Sequence, residues 1–249
     1  MTARVHSAIL LVVVGLALFA VACGNDSRPA IIDQAQAQGT PGSTAPANDG
    51  PAYGDSGGAA AMDHRAVPTT EKEAAFHDGM RKLWEDHVTW TRLFIVSDVG
   101  NLPDLQATTN RLLQNQVDIG DAVKPYYGQQ AGDALTVLLQ EHITTAAKLL
   151  DAAEASDQAG VAAASASWYD NADRIASFLS TANPNNWPLD ETKAMMREHL
   201  DLTLQEATAH LTGDYAADIA AYDKIHGQIL EMADMLSSGI IAQFPNQFH

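Results

Sequence analysis

From about residue 71 to the C-terminus, apolar residues recur at steps of three and four, the spacing of one face of an α-helix. Leu, Ile, Val, Ala and Met carry this pattern, and no alternating β-branched run is long enough for a strand. Turn-forming residues interrupt it at Gly100-Asn101-Leu102-Pro103, Lys124-Pro125-Tyr126-Tyr127-Gly128, Ser156-Asp157, Asn183-Pro184-Asn185-Asn186-Trp187-Pro188 and Thr212-Gly213-Asp214-Tyr215. These breaks predict helices over about 71–99, 103–124, 130–155, 158–182, 189–212 and 214–243. The expected fold is all-α, a six-helix bundle built of three helical hairpins.

The odd-numbered predicted helices share a motif. They read Leu83-Trp84-Glu85-Asp86-His87-Val88, Leu138-Leu139-Gln140-Glu141-His142-Ile143 and Met195-Met196-Arg197-Glu198-His199-Leu200. The histidines are 55 and 57 residues apart, about the length of a hairpin, which suggests a threefold internal repeat. Apolar residues stand at −4, −3 and +1 from each histidine, on one helix face. His87, His142 and His199 are therefore expected on or beside the buried stripe. The even-numbered helices echo more weakly, with Asn115 four residues before Ile119 and Asn171 four before Ile175. The third hairpin has Ile225-His226-Gly227 in the corresponding region, so the asparagine is read as lost there.

A buried imidazole needs partners for both ring nitrogens. Asn115 and Asn171 are natural partners on the following helices. Two readings stay open. Either each histidine makes a structural hydrogen bond within its own hairpin, or the three converge and bind a divalent metal or a small ligand, since three neutral imidazoles suffice for Zn²⁺ or a similar ion. No Glu stands three residues before any of them, so the common di-iron signature is missing. Asp223 and His226 form a weaker pair of candidate ligands on one face of the last helix, with Asp234 further along; a solvated polar stripe is the preferred explanation. No phosphate-binding glycine loop, G-x-S-x-G, H-E-x-x-H or dinucleotide fingerprint is present.

The N-terminal 70 residues read differently. Arg4 is followed by an apolar run, Ala8 to Ala22, shorter than the ~20 residues a membrane-spanning helix needs. It suits a secretory signal. The run ends Ala20-Val21-Ala22-Cys23-Gly24, which looks like a lipobox, although Ala20 stands where leucine is usual. Cys23 is the only cysteine of the 249 residues, so the rest of the chain has no disulfide and no thiol chemistry. Residues 1–22 are expected to be a lipoprotein signal peptide. Residues 23–70, beginning with lipidated Cys23, are rich in Gly, Ala, Ser, Pro, Asp and Asn and read as a disordered tether. Residues 71–249 are the helical domain. The implied location is the cell membrane, lipid-anchored and facing the exterior or periplasm.

The formal net charge is −17. Arg4 is the one charged side chain of the signal segment, so the mature chain is slightly more acidic still. Nucleic acid is excluded as a partner, because it needs basic patches. The expected partner is the membrane, reached through the lipid on Cys23.

Several segments carry a resemblance. They are His87-Val88-Thr89-Trp90-Thr91-Arg92, Asn115-Gln116-Val117-Asp118-Ile119-Gly120, Lys124-Pro125-Tyr126-Tyr127-Gly128, Trp168-Tyr169-Asp170-Asn171-Ala172-Asp173 and Gly239-Ile240-Ile241-Ala242-Gln243-Phe244-Pro245. Over about residues 80–245 the chain resembles a family of small all-helical bacterial proteins of unassigned function. Some relatives carry automatically assigned enzyme names, glycosyltransferase and acetylglutamate kinase. Those chemistries use α/β folds with nucleotide sites, which this sequence does not encode. The resemblance implies fold and extent, and no mechanism. The function expected is that of a non-catalytic ligand- or partner-binding domain in the cell envelope. The alternatives are a metal-binding protein or metal-dependent enzyme using the three histidines, and a structural or assembly protein.

Overall fold

The computed structural model describes residues 68–249; the signal segment, Cys23 and most of the tether lie outside the described residues. Six α-helices follow one another: α1 Glu71–Val99, α2 Leu105–Tyr127, α3 Gln129–Glu154, α4 Gln158–Ala182, α5 Leu189–Thr212 and α6 Tyr215–Gln243. A short 3₁₀ turn, Pro245–Gln247, ends the chain. The described residues contain no strand, so the all-α expectation holds. None of these helices is long and apolar enough to cross a membrane.

Local chemistry sets the helix ends. Thr70 caps α1: its hydroxyl accepts from the Glu73 backbone N–H, and Glu73 reaches back to the Thr70 N–H. Asp157 and Asp214 accept from Gly160 and Ala217 at the starts of α4 and α6. The break expected after Lys124 falls three residues later. Pro125 removes a single backbone donor near the end of α2, and the helix runs on to Tyr127. Gly128, with φ of 86°, then turns the chain directly into α3.

Short connections make sequence neighbours antiparallel, and each helix packs on the next. α6 returns against α1 and closes the ring, while α1 also touches α5 across the interior. Gly120 of α2 faces Gly132 of α3 where those helices cross. The α4–α5 connection is pinned to α6: Asn183 Nδ2 donates to the Gly239 carbonyl at 2.9 Å and Trp187 Nε1 to the Met235 carbonyl at 3.3 Å.

The two ends of the described segment lie at one end of the bundle. Thr70 Oγ1 donates to the Phe248 carbonyl there, and Phe76, Tyr126 and Phe248 pack ring on ring. The larger apolar cluster includes Met80, Trp84, Leu139, Ile175, Met196 and Met232. They line an internal cavity of about 20 Å³, room for a water-sized guest. A smaller cluster, Phe94, Ile95, Leu112, Ile143 and Leu150, fills the opposite end.

Candidate functional site

His142 stands between Leu139 of the larger cluster and Ile143 of the smaller, and the other two histidines occupy equivalent turns. All three are buried: His87 is 3% exposed, His142 4% and His199 5%. The residues at −3, namely Trp84, Leu139 and Met196, are buried with them, as are Val88, Ile143 and Leu200 at +1. The repeat therefore places the histidines in one polar layer inside an apolar core.

The rings meet. The His87 and His199 centroids are 5.7 Å apart at 42°, and those of His142 and His199 are 6.3 Å apart at 29°. This is tilted stacking rather than convergence on one point. A metal ion needs ring nitrogens at ~2.0–2.1 Å, and no group of three His, Cys, Asp or Glu among the described residues is arranged to hold one.

Amides on the even-numbered helices brace the layer. Asn171 Oδ1 accepts from His142 Nδ1 at 3.0 Å, and its Nδ2 donates to the Leu138 carbonyl at 3.1 Å. In the first hairpin the two tasks are divided. Asn115 Nδ2 donates to the Leu83 carbonyl at 3.0 Å, while the adjacent Gln116 places Nε2 3.3 Å from His87 Nδ1. Asn115 is thus the helix clamp, and Gln116, which the sequence pattern did not single out, is the histidine partner. Gln116 Nε2 also donates to the Leu112 carbonyl at 2.9 Å and to Asn115 Oδ1 at 3.1 Å; the amide oxygen facing His142 Nδ1 keeps that ring protonated on Nδ1.

The third hairpin retains the clamp in another residue. Gln228, 29 positions after His199, donates through Nε2 to the Met195 carbonyl at 3.0 Å. Its carboxamide lies close enough to favour protonation of His199. Even so, Gln228 Oε1 and His199 Nδ1 both lack a well-formed hydrogen bond. Gln116 Oε1, Trp84 Nε1 and Trp168 Nε1 are likewise buried and unpartnered. Trp84 lies against His87, and Trp168 against His142, so these orphaned atoms share the histidine layer.

Burial holds all three imidazoles neutral. It drives His142 down to about 3 and His199 to about 4. His87 is also pushed well below the ordinary histidine range, first by burial and then by the other two rings.

Asp223 and His226 are not brought together. Asp223 is exposed, and His226 Nε2 sits 2.9 Å from Glu85 of α1. Asp234 pairs instead with Arg81 at 2.6 Å and His77 at 3.0 Å, tying α6 to α1.

A second buried polar group went unread in the sequence. Arg92 Nη1 lies 2.7 Å from Glu206 and 2.6 Å from Asp218, and His210 Nδ1 is 2.9 Å from Asp218. The Arg92 guanidinium also stacks on Tyr222 at 4.9 Å. Both acids are 2% exposed. Burial pushes the Glu206 carboxyl up to about 7, with the Asp218 charge adding to the shift and Arg92 opposing it. Burial would raise Asp218 too, but Arg92 and His210 outweigh it and hold Asp218 below its ordinary value. Arg92 and His210 thus favour the ionised form of Asp218, while burial favours the protonated form of Glu206. The signal was available: Glu206 follows His199 by seven residues and Thr203 by three, on the same buried stripe.

Comparison with known proteins gives no match to a family model, a curated protein or a solved structure. The functional argument rests on the geometry of the chain itself.

Proposed function

We propose that this chain is a lipid-anchored, non-catalytic binding protein of the cell envelope, whose helical domain takes a small ligand or partner at the histidine layer. The supporting observation is the set of unpartnered atoms there: His199 Nδ1, Gln228 Oε1, Gln116 Oε1, Trp84 Nε1 and Trp168 Nε1. Buried polar atoms normally have partners, and an orphan in a native core calls for water, an ion or a ligand. The cavity lined by Trp84 and Met196 has room for a water-sized guest beside the layer, so a larger ligand requires the surrounding side chains to move. The resemblance to small all-helical bacterial proteins belongs to the same reading.

Native mass spectrometry of the Cys23→Ser chain, with elemental analysis of the same sample, tests this. A stoichiometric mass excess without metal supports ligand binding. One equivalent of a transition metal, lost when His87, His142 and His199 are all replaced, supports the metal alternative. A stable dimer with neither supports an assembly role.

The anchor is tested separately. Cys23→Ser should release the protein from the membrane fraction or leave the precursor uncleaved; unchanged processing and retention would remove the lipid from the proposal.

A further inference from the structure

The three hairpins are not joined equally. The first and second meet at α2–α3, where Gly120 and Gly132 allow close backbone approach and Lys124 bridges Asp121 and Asp133. The third and first meet at α6–α1 through Arg92–Asp218, Arg81–Asp234 and Thr89–Tyr222. The second and third meet at α4–α5, the least extensive of the six neighbour interfaces. Its polar links lie at the surface: Tyr169 with Asp201, and Asp173 with Arg197 and Lys193. Inside this seam His142 stacks on His199, the ring whose Nδ1 has no partner.

We propose that the His142–His199 stack is an acid-operated latch, and that protonation within it opens the bundle along the α4–α5 seam. The surroundings of the rings carry the argument. From α1 the titratable group facing the stack is His87; α3 and α5 supply His142 and His199 themselves. α2, α4 and α6 present the neutral amides of Gln116, Asn171 and Gln228.

The carboxylates on the turns around the rings sit on the outside, and the buried acids Glu206 and Asp218, further along α5 and α6, are taken up by Arg92. Glu85 is held by His226, Asp86 by Lys82 and Glu141 by Arg174. Asp201 and Asp173 are engaged at the seam's surface. No carboxylate therefore stabilises an imidazolium inside, and a proton entering the layer meets burial and its neighbours' repulsion. Opening the bundle relieves that cost by exposing the ring to water. The seam with the least packing yields first, uncovering Trp168, Leu179, Met196 and Leu200.

Hydrogen exchange of the intact mature chain, corrected for the intrinsic pH dependence of exchange, tests the latch between pH 7 and pH 5. Protection in α4 and α5 should fall about tenfold per pH unit below ~6.5 for each ring released, while α2 and α3 keep theirs. His199→Gln should lower that pH dependence by about tenfold per unit. Should the variant not fold, the imidazole proton resonances of the unaltered protein decide. Rings that stay neutral while the bundle is closed, and gain protons as α4 and α5 open, support the latch. Rings that titrate near 6.5 in a closed bundle overturn it. So do equal loss of protection in all six helices, unchanged protection down to pH 5, or an undiminished pH response in His199→Gln.

Discussion

Gln228 Nε2 donates to the Met195 carbonyl oxygen at 3.0 Å, the same bond that Asn171 makes to Leu138 and Asn115 to Leu83. In each hairpin the acceptor lies four residues before the histidine, so it also receives that histidine's own backbone N–H in the helix ladder. One amide from the even helix thus clamps the turn that presents the imidazole. The clamp is repeated three times, and only its residue type and its share in holding the ring change.

The clamps differ in what they support. Asn171 bonds both His142 and the Leu138 carbonyl, whereas Gln228 makes its bond to Met195 alone. Asn171→Leu is expected to cost about 1–3 kcal/mol, because it strands a buried ring nitrogen; Gln228→Leu should cost about 1 kcal/mol or less. Urea unfolding at pH 7.5 measures both. A greater loss for Gln228→Leu would contradict this assignment of bonds.

Glu206 gives stability a pH dependence opposite in sign to that of the histidines. Its folded-state value is raised from 4.5 to about 7, so the folded chain keeps a proton that the unfolded chain releases. Its contribution therefore falls as pH rises from about 4.5 to about 7, and the penalty is complete above that. Glu206→Gln keeps an acceptor for Arg92 and removes the titration. The variant should gain at most about 3 kcal/mol relative to the parent at pH 8 compared with pH 4.5. Paired denaturation curves across that range check it, and a difference independent of pH would refute it.

For the histidines the sign is reversed. Their folded-state values lie below the ordinary 6.5, so their contribution is complete above that pH and is lost as pH falls. Each ring that remains neutral in the folded chain should cost about 1.4 kcal/mol per pH unit between 6.5 and about 4. Thermal midpoints from pH 7 to pH 4.5 should drop steeply; a flat profile would mean the rings are not held neutral.

Two glycines should respond oppositely to alanine. A Cβ on Gly120 would stand 2.7 Å from the Gly132 carbonyl oxygen, and the Thr136 hydroxyl is closer still. Gly120→Ala is expected to force α2 from α3 and cost about 1–3 kcal/mol. Gly227 has open space around its Cβ position on α6. Gly227→Ala should stabilise by up to about 1 kcal/mol through helix propensity alone. Thermal midpoints that move in the same direction would count against the close α2–α3 crossing.

The sequence by itself determined the helices. Their three- and four-residue apolar spacing is a local property, and the turn residues between them act within a few positions. The same periodicity placed His87, His142 and His199 on the buried stripe, because face and spacing on a helix are geometrically linked. Tertiary structure alone decided what those rings meet. Whether three equivalent imidazoles converge, stack or stand apart depends on how the hairpins rotate against one another, which no single helix encodes. It also decided that Gln116 and not Asn115 faces His87, and that Gln228 supplies the clamp read as lost. A longer side chain reaches the same carbonyl, and position in space, rather than residue identity, defines the role. Arg92, Glu206, Asp218 and His210 came together for a related reason. They lie on α1, α5 and α6, and their pairing exists only once the closing helix packs against the first.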